Sequence, residues 1–83
     1  MARTKILVLD DDQMVRWALT QALVGWGYVP LEAETVAAAV EIFEADLPPV
    51  ALLDVNLPDG SGISVLQSIK NRQPHTIVIM MTG

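Results

Sequence analysis

Ile6-Leu7-Val8-Leu9-Asp10-Asp11-Asp12 decides the architecture of this chain. Four apolar residues run without interruption and stop at three aspartates. A strand with one wet face alternates apolar and polar residues. A continuous apolar run implies cover on both faces, as in a parallel sheet flanked by helices. Val50-Ala51-Leu52-Leu53 repeats the device and ends at Asp54, and a further run from Thr76 to Met81 ends at Thr82-Gly83. Tyr28 to Ala33 reads as a weaker strand, and its Pro30 suits an edge because it cannot donate to a ladder.

Between these runs the apolar period changes. From Met14 onward Val15, Ala18, Leu19, Ala22, Leu23 and Trp26 recur at helical intervals, and Gly25 and Gly27 supply the stop. Thr35 is a good N-cap for a second helix with Val36, Ala39, Val40 and Phe43 on one face, ended by Pro48-Pro49. Leu57-Pro58-Asp59-Gly60-Ser61-Gly62 is loop chemistry. It leads to a third helix with Ile63, Leu66 and Ile69 on one side, closed before Pro74. The order is strand–helix three times and then a strand, which predicts an α/β doubly wound parallel sheet of four strands and three helices. No linker, repeat or low-complexity tract divides residues 1–83, which read as one domain.

Composition narrows the function classes. Hydrophobic residues make up 52% of the 83, and counting glycine raises this to roughly 58%, above the 45–50% usual for soluble domains. The longest strictly apolar run, Ile77 to Met81, is far short of the roughly 20 residues of a membrane span. The N-terminus lacks the apolar stretch of a signal peptide, so a cytoplasmic location with no membrane partner is expected. The net charge is −5 and the five basic residues are scattered, a poor footprint for nucleic acid, so direct binding of it by this chain is not expected. There is no cysteine, which suits a reducing compartment.

Right-handed crossovers bring the C-terminal ends of all four strands to one edge of the sheet, where open α/β proteins build their sites. Asp10, Asp11, Asp12, Asp54 and Thr82 are therefore expected on one rim. Ionised carboxylates about 4 Å apart repel by roughly 4 kcal/mol at an effective dielectric near 20, so such a cluster calls for a raised pKa or a cation. Hard oxygen donors with no His or Cys beside them point to magnesium. Magnesium beside a nucleophilic carboxylate suits phosphoryl transfer, with Asp54 as acceptor and Thr82 as a hydroxyl donor to the transferred group. No Walker-type loop is present, since Asp59-Gly60-Ser61-Gly62 lacks the lysine. Asp12 reads mainly as a helix cap, Trp17 as a residue filling a gap against a neighbouring segment, Met80 and Met81 as core, and His75 as a solvated turn residue.

Ile6-Leu-Val-Leu-Asp-Asp-Asp, Leu52-Leu-Asp54-Val-Asn-Leu-Pro58, Gly62 and Ile79-Met-Met-Thr82-Gly together resemble the response-regulator receiver domain of two-component signalling. Val15-Arg-Trp17 and Asp59-Gly-Ser-Gly62 are most similar to receivers of the nitrogen-regulation type, which precede a sigma-54-dependent ATPase. The resemblance implies a flavodoxin-like sheet in the order 2-1-3-4 and phosphorylation of Asp54 by a sensor histidine kinase, with a transcriptional output. It implies magnesium bound directly by Asp11 and largely through water by Asp10, with Asp54 and the backbone carbonyl of Asn56 completing the metal site. Thr82 would reorient toward the phosphoryl group, and Pro58 and Gly62 would shape the adjoining loop. The family's pattern continues with a fourth helix, a fifth strand ending in lysine and a fifth helix, whereas this sequence stops at Gly83. The fourth strand would then be an apolar edge, which predicts self-association through it or through a swapped element.

Two other readings compete. A truncated receiver could act only as a dimerisation or interaction module. A phosphatase resembling the haloacid-dehalogenase family would use Asp10 as nucleophile, Asp12 as acid and Thr82 as phosphate binder; Met14 departs from that pattern, and it leaves Asp54 without a role.

Overall fold

The computed structural model describes residues 3–81. Along the chain run β1 (Lys5–Leu9), α1 (Gln13–Gly25), β2 (Val29–Ala33), α2 (Val36–Asp46) and β3 (Val50–Asp54). A hairpin of β4 (Asn56–Leu57) and β5 (Gly60–Ser61) follows, then α3 (Gly62–Arg72) and β6 (Ile77–Met81). The main sheet has the order β2-β1-β3-β6, with every pair parallel. This is the expected 2-1-3-4 order of a flavodoxin-like sheet, β6 being the fourth apolar run, and Pro30 lies in the edge strand β2. The small antiparallel pair β4–β5 arises within the stretch read as loop.

The continuous apolar strands β1 and β3 are covered on both faces, whereas β6 leaves Ile77 and Ile79 exposed. Leu7, Leu9, Ala51 and Leu53 pack under Ala39 and Phe43 of α2 and Val65 and Ile69 of α3. Ile6 and Val8 pack on the opposite face against Leu23 of α1, with Leu19, Val50 and Leu52 partly buried around them. Phe43, Leu7, Leu9, Leu53 and Ile69 are fully buried, each worth about 1.5–3 kcal/mol relative to exposure.

Helix ends follow the local chemistry. Asp12 Oδ1 accepts the amides of Met14 at 2.9 Å and Val15 at 3.2 Å, which makes Asp12 the cap it was expected to be. Thr35 caps α2 through the Ala38 amide at 3.1 Å. Gly27 follows α1 with φ 88°, a left-handed conformation that costs a glycine little.

The rotation of two helices differs from the sequence reading. On α1 the buried residues are Arg16, Thr20 and Leu23, while Val15, Ala18 and Ala22 are exposed and Trp26 is 74% exposed. The helix turns Arg16, Thr20 and Leu23 to the sheet, where Arg16 finds acceptors; of the expected stripe Leu19 and Leu23 face inward, while Val15, Ala18, Ala22 and Trp26 lie outside. Trp17 is 59% exposed and fills no gap. On α3 the buried residues are Gly62, Val65 and Ile69, with Leu66 partly buried and Ile63 exposed. The close approach of Gly62 to β3 sets that rotation. Met80 packs partly buried against the α2–α3 core, whereas Met81 is half-buried at the rim.

Candidate functional site

β1 and β3 are parallel neighbours with Leu9 opposite Leu53, so the residues following each emerge side by side. Asp10, Asp11 and Asp54 each present a carboxylate oxygen within 4.8 Å of the others. With Asp12, Val15, Asn56 and Met81 they line an open cavity of about 400 Å³. Four of the five residues expected on the rim are thus together there, and Asn56 joins them. Thr82 lies outside the described residues, although Met81, which precedes it, lines the cavity and accepts the Val55 amide at 3.2 Å.

Burial and hydrogen bonding divide the acids. Asp10 is 6% exposed, and its Oδ1 accepts the Asp12 amide at 2.9 Å. Burial pushes its carboxyl above the ordinary aspartate range; the Asp12 amide bond opposes this, and the charges of Asp54, Asp11 and Asp12 add to it. Asp11 is exposed, and Asp54 is half-buried and accepts the Asn56 amide at 3.3 Å.

The loop after β3 depends on Gly62. Its amide donates to the Val55 carbonyl at 2.9 Å, and a Cβ at this position would stand 1.9 Å from the Asp54 carbonyl oxygen. Only glycine lets α3 begin against the backbone of Asp54.

Two residues outside the sequence-derived site support it. Arg16 is 8% exposed; it donates from Nη1 to the Asp10 carbonyl at 2.7 Å, from Nε to Glu32 at 3.2 Å and from Nη2 to Glu34 at 3.3 Å. Its spacing from Thr20 and Leu23, one turn and two turns on, is the signal that could have revealed it. Asp59 accepts the amides of Val36 at 2.8 Å and Ala37 at 3.2 Å, joining the site loop to the start of α2. The Val36 amide bond, first among these contacts, holds the Asp59 carboxyl below its ordinary range.

The donor set suits a hard divalent cation. It consists of carboxylates, and among the described residues no basic side chain lines the cavity. Oxygens on one octahedral magnesium stand about 3.0–4.2 Å apart, within the 4.8 Å that bounds the separations of these carboxylates.

An open parallel sheet with an acid cluster at its carboxyl edge defines a class, and comparison with known proteins identifies it. The response regulator receiver domain family matches residues 6–83, and the chain belongs to that family. It is 38% identical over 83 residues to the DNA-binding transcriptional regulator NtrC of Escherichia coli (strain K12), spanning 100% of this chain and 18% of that protein. The lean toward the nitrogen-regulation type is thereby supported. A CheY-like receiver domain protein from Methanospirillum hungatei JF-1 superposes with a TM-score of 0.95 at 30% identity, over 99% of this chain and 66% of that one. The beryllofluoride-activated NtrC4 receiver domain dimer superposes with a TM-score of 0.88 at 35% identity, over 95% of this chain and 65% of that one. This chain therefore spans under a fifth of NtrC and about two-thirds of these receiver structures. No described helix is long and apolar enough to cross a membrane.

Proposed function

We propose that this chain is the phosphoacceptor module of a cytoplasmic two-component system, taking a phosphoryl group from a sensor histidine kinase onto Asp54 to regulate transcription. The observation that carries this reading is the convergence of the Asp10, Asp11 and Asp54 carboxylates within 4.8 Å at the open sheet edge. A carboxylate oxygen of Asp54 forms the bond to phosphorus while the bond from phosphorus to the kinase imidazole nitrogen breaks, and that nitrogen keeps the electron pair. Asp11 and Asp54 with the Asn56 carbonyl would hold magnesium, Asp10 acting largely through water. Bound there, the ion supplies charge neutralisation for the phosphoryl oxygens. The Asn56 amide orients the Asp54 carboxylate, and Asp12 is occupied with capping α1. Thr82 is assigned to the hydrogen bond that senses the transferred group.

Self-association is part of the same proposal. β6 lies at the edge of the sheet among the described residues, and Ile77 and Ile79 on it are 61% and 50% exposed. An apolar edge strand of this kind is a template for pairing with a second copy.

The test of the phosphoacceptor role is incubation with magnesium and acetyl phosphate or beryllofluoride, followed by mass spectrometry or fluorine NMR. A modification lost in Asp54→Asn supports the reading. Turnover that survives Asp54→Asn but not Asp10→Asn would favour the phosphatase alternative, and no modification at all would favour an interaction module.

A further inference from the structure

We propose that Arg16 is a positioning residue for the acidic pocket, holding the Asp10–Asp11 peptide in the orientation that lets its carboxylates share a divalent cation with Asp54. This rests on the metal-binding reading of the pocket. Burying a guanidinium is costly unless its donors are met, and here Nη1, Nε and Nη2 each have an acceptor. The shortest of the bonds, 2.7 Å, goes to a main-chain carbonyl, that of Asp10. That carbonyl belongs to the peptide joining Asp10 to Asp11, so its direction controls where both side chains leave the backbone.

The groups flanking that peptide are held as well. The Asp10 amide donates to the Ala33 carbonyl at 3.1 Å, and the Asp12 amide returns to Asp10 Oδ1 at 2.9 Å. Arg16 holds the peptide itself, through its carbonyl, and Glu32 and Glu34 near the end of β2 pair with its guanidinium. The cation is not among the residues lining the cavity. The guanidinium therefore holds the backbone without competing for the ligand position.

A purely structural role makes a different prediction, so a control is needed. Thr20 is also buried on the inner stripe of α1, but its hydroxyl bonds only to the Trp17 carbonyl. Magnesium binding to the wild type, Arg16→Gln, Arg16→Lys and Thr20→Val is measured by calorimetry at constant ionic strength, alongside thermal unfolding in EDTA. Arg16→Gln is expected to weaken magnesium roughly 10- to 100-fold, the usual range for a residue that orients metal ligands. Arg16→Lys keeps one donor for the carbonyl and should fall between it and the wild type. Thr20→Val should lower Tm and leave the affinity unchanged.

Wild-type affinity in both Arg16 variants, or an equal loss in Thr20→Val, overturns the proposal while leaving the pocket reading intact. If Arg16→Gln does not fold, Arg16→Lys decides: a loss of about threefold or more supports the proposal, and unchanged affinity overturns it. A wild type that binds no magnesium overturns the pocket reading and this proposal with it.

Discussion

Replacing Asp10 by asparagine removes one charge from a cluster whose carboxylate oxygens lie within 4.8 Å of one another. At that distance a pair of unit charges repels by about 0.9 kcal/mol in bulk water and roughly 3.5 kcal/mol at an effective dielectric of 20. Asp54 is half-buried beside the buried Asp10, so that pair lies toward the upper value; Asp11 is exposed, so its pair with Asp10 lies toward the lower. The asparagine oxygen still accepts the Asp12 amide, but weakening that charge-assisted bond costs about 1 kcal/mol. The net expectation is that metal-free Asp10→Asn is more stable than wild type by roughly 1–3 kcal/mol at neutral pH and low salt. For a domain of this size that amounts to about 4–8 °C in Tm per kcal/mol.

The pH dependence has a definite sign. Burial, with the neighbouring acids, raises the Asp10 carboxyl above its ordinary value of 3.8, so the folded protein binds the proton more tightly than the unfolded chain. Stability from this group is complete below the ordinary value and is lost as pH rises through the raised one. The advantage of Asp10→Asn should therefore fade toward acid pH. In magnesium at ten times Kd the wild type gains about 1.4 kcal/mol and the variant much less, so the stability gap narrows or reverses. Urea titrations followed by circular dichroism, with EDTA and with magnesium at neutral and acid pH, measure all of this. An Asp10→Asn protein less stable than wild type in EDTA at neutral pH would refute the charge reasoning.

Gly62→Ala should cost roughly 2–4 kcal/mol in urea titration, because the new Cβ meets the Asp54 carbonyl 1.9 Å away and β3 is held by pairing on both sides. Wild-type stability there would contradict the packing described. Asp59→Ala should speed hydrogen exchange at the Val36 and Ala37 amides and lower stability at neutral pH. Since folding lowers the Asp59 carboxyl, its contribution disappears as pH falls through the folded value, and variant and wild type should converge in acid. Ile79→Lys, on the exposed edge strand, should reduce the particle mass seen by light scattering at micromolar concentration; a wild type that is strictly monomeric there sinks the self-association proposal.

Much of this molecule was legible in its residues. Unbroken apolar runs at Ile6–Leu9 and Val50–Leu53 specify strands covered on both faces, and the acid after each is carried to the rim by chain connectivity. Asp12 and Thr35 cap their helices through bonds spanning two or three residues, a distance over which sequence and geometry are nearly the same thing. The rotations of α1 and α3 were not legible. Periodicity says which residues share a helix face, and an apolar stripe is normally the buried one. On α1 only Leu19 and Leu23 of that stripe face the sheet, because Arg16 turns inward to the Asp10 carbonyl, to Glu32 of β2 and to Glu34 just beyond it, two acids that become neighbours only when β2 pairs with β1.

The sequence by itself therefore determined the elements, their parallel arrangement and the identity of the acids at the site, because these depend on local pattern and on handed connections. Tertiary structure alone decided what supports those acids. Arg16 on the Asp10 carbonyl, Gly62 against the Asp54 carbonyl and Asp59 on the amides of α2 23 positions away all join separate elements, and are set by the distances between packed elements.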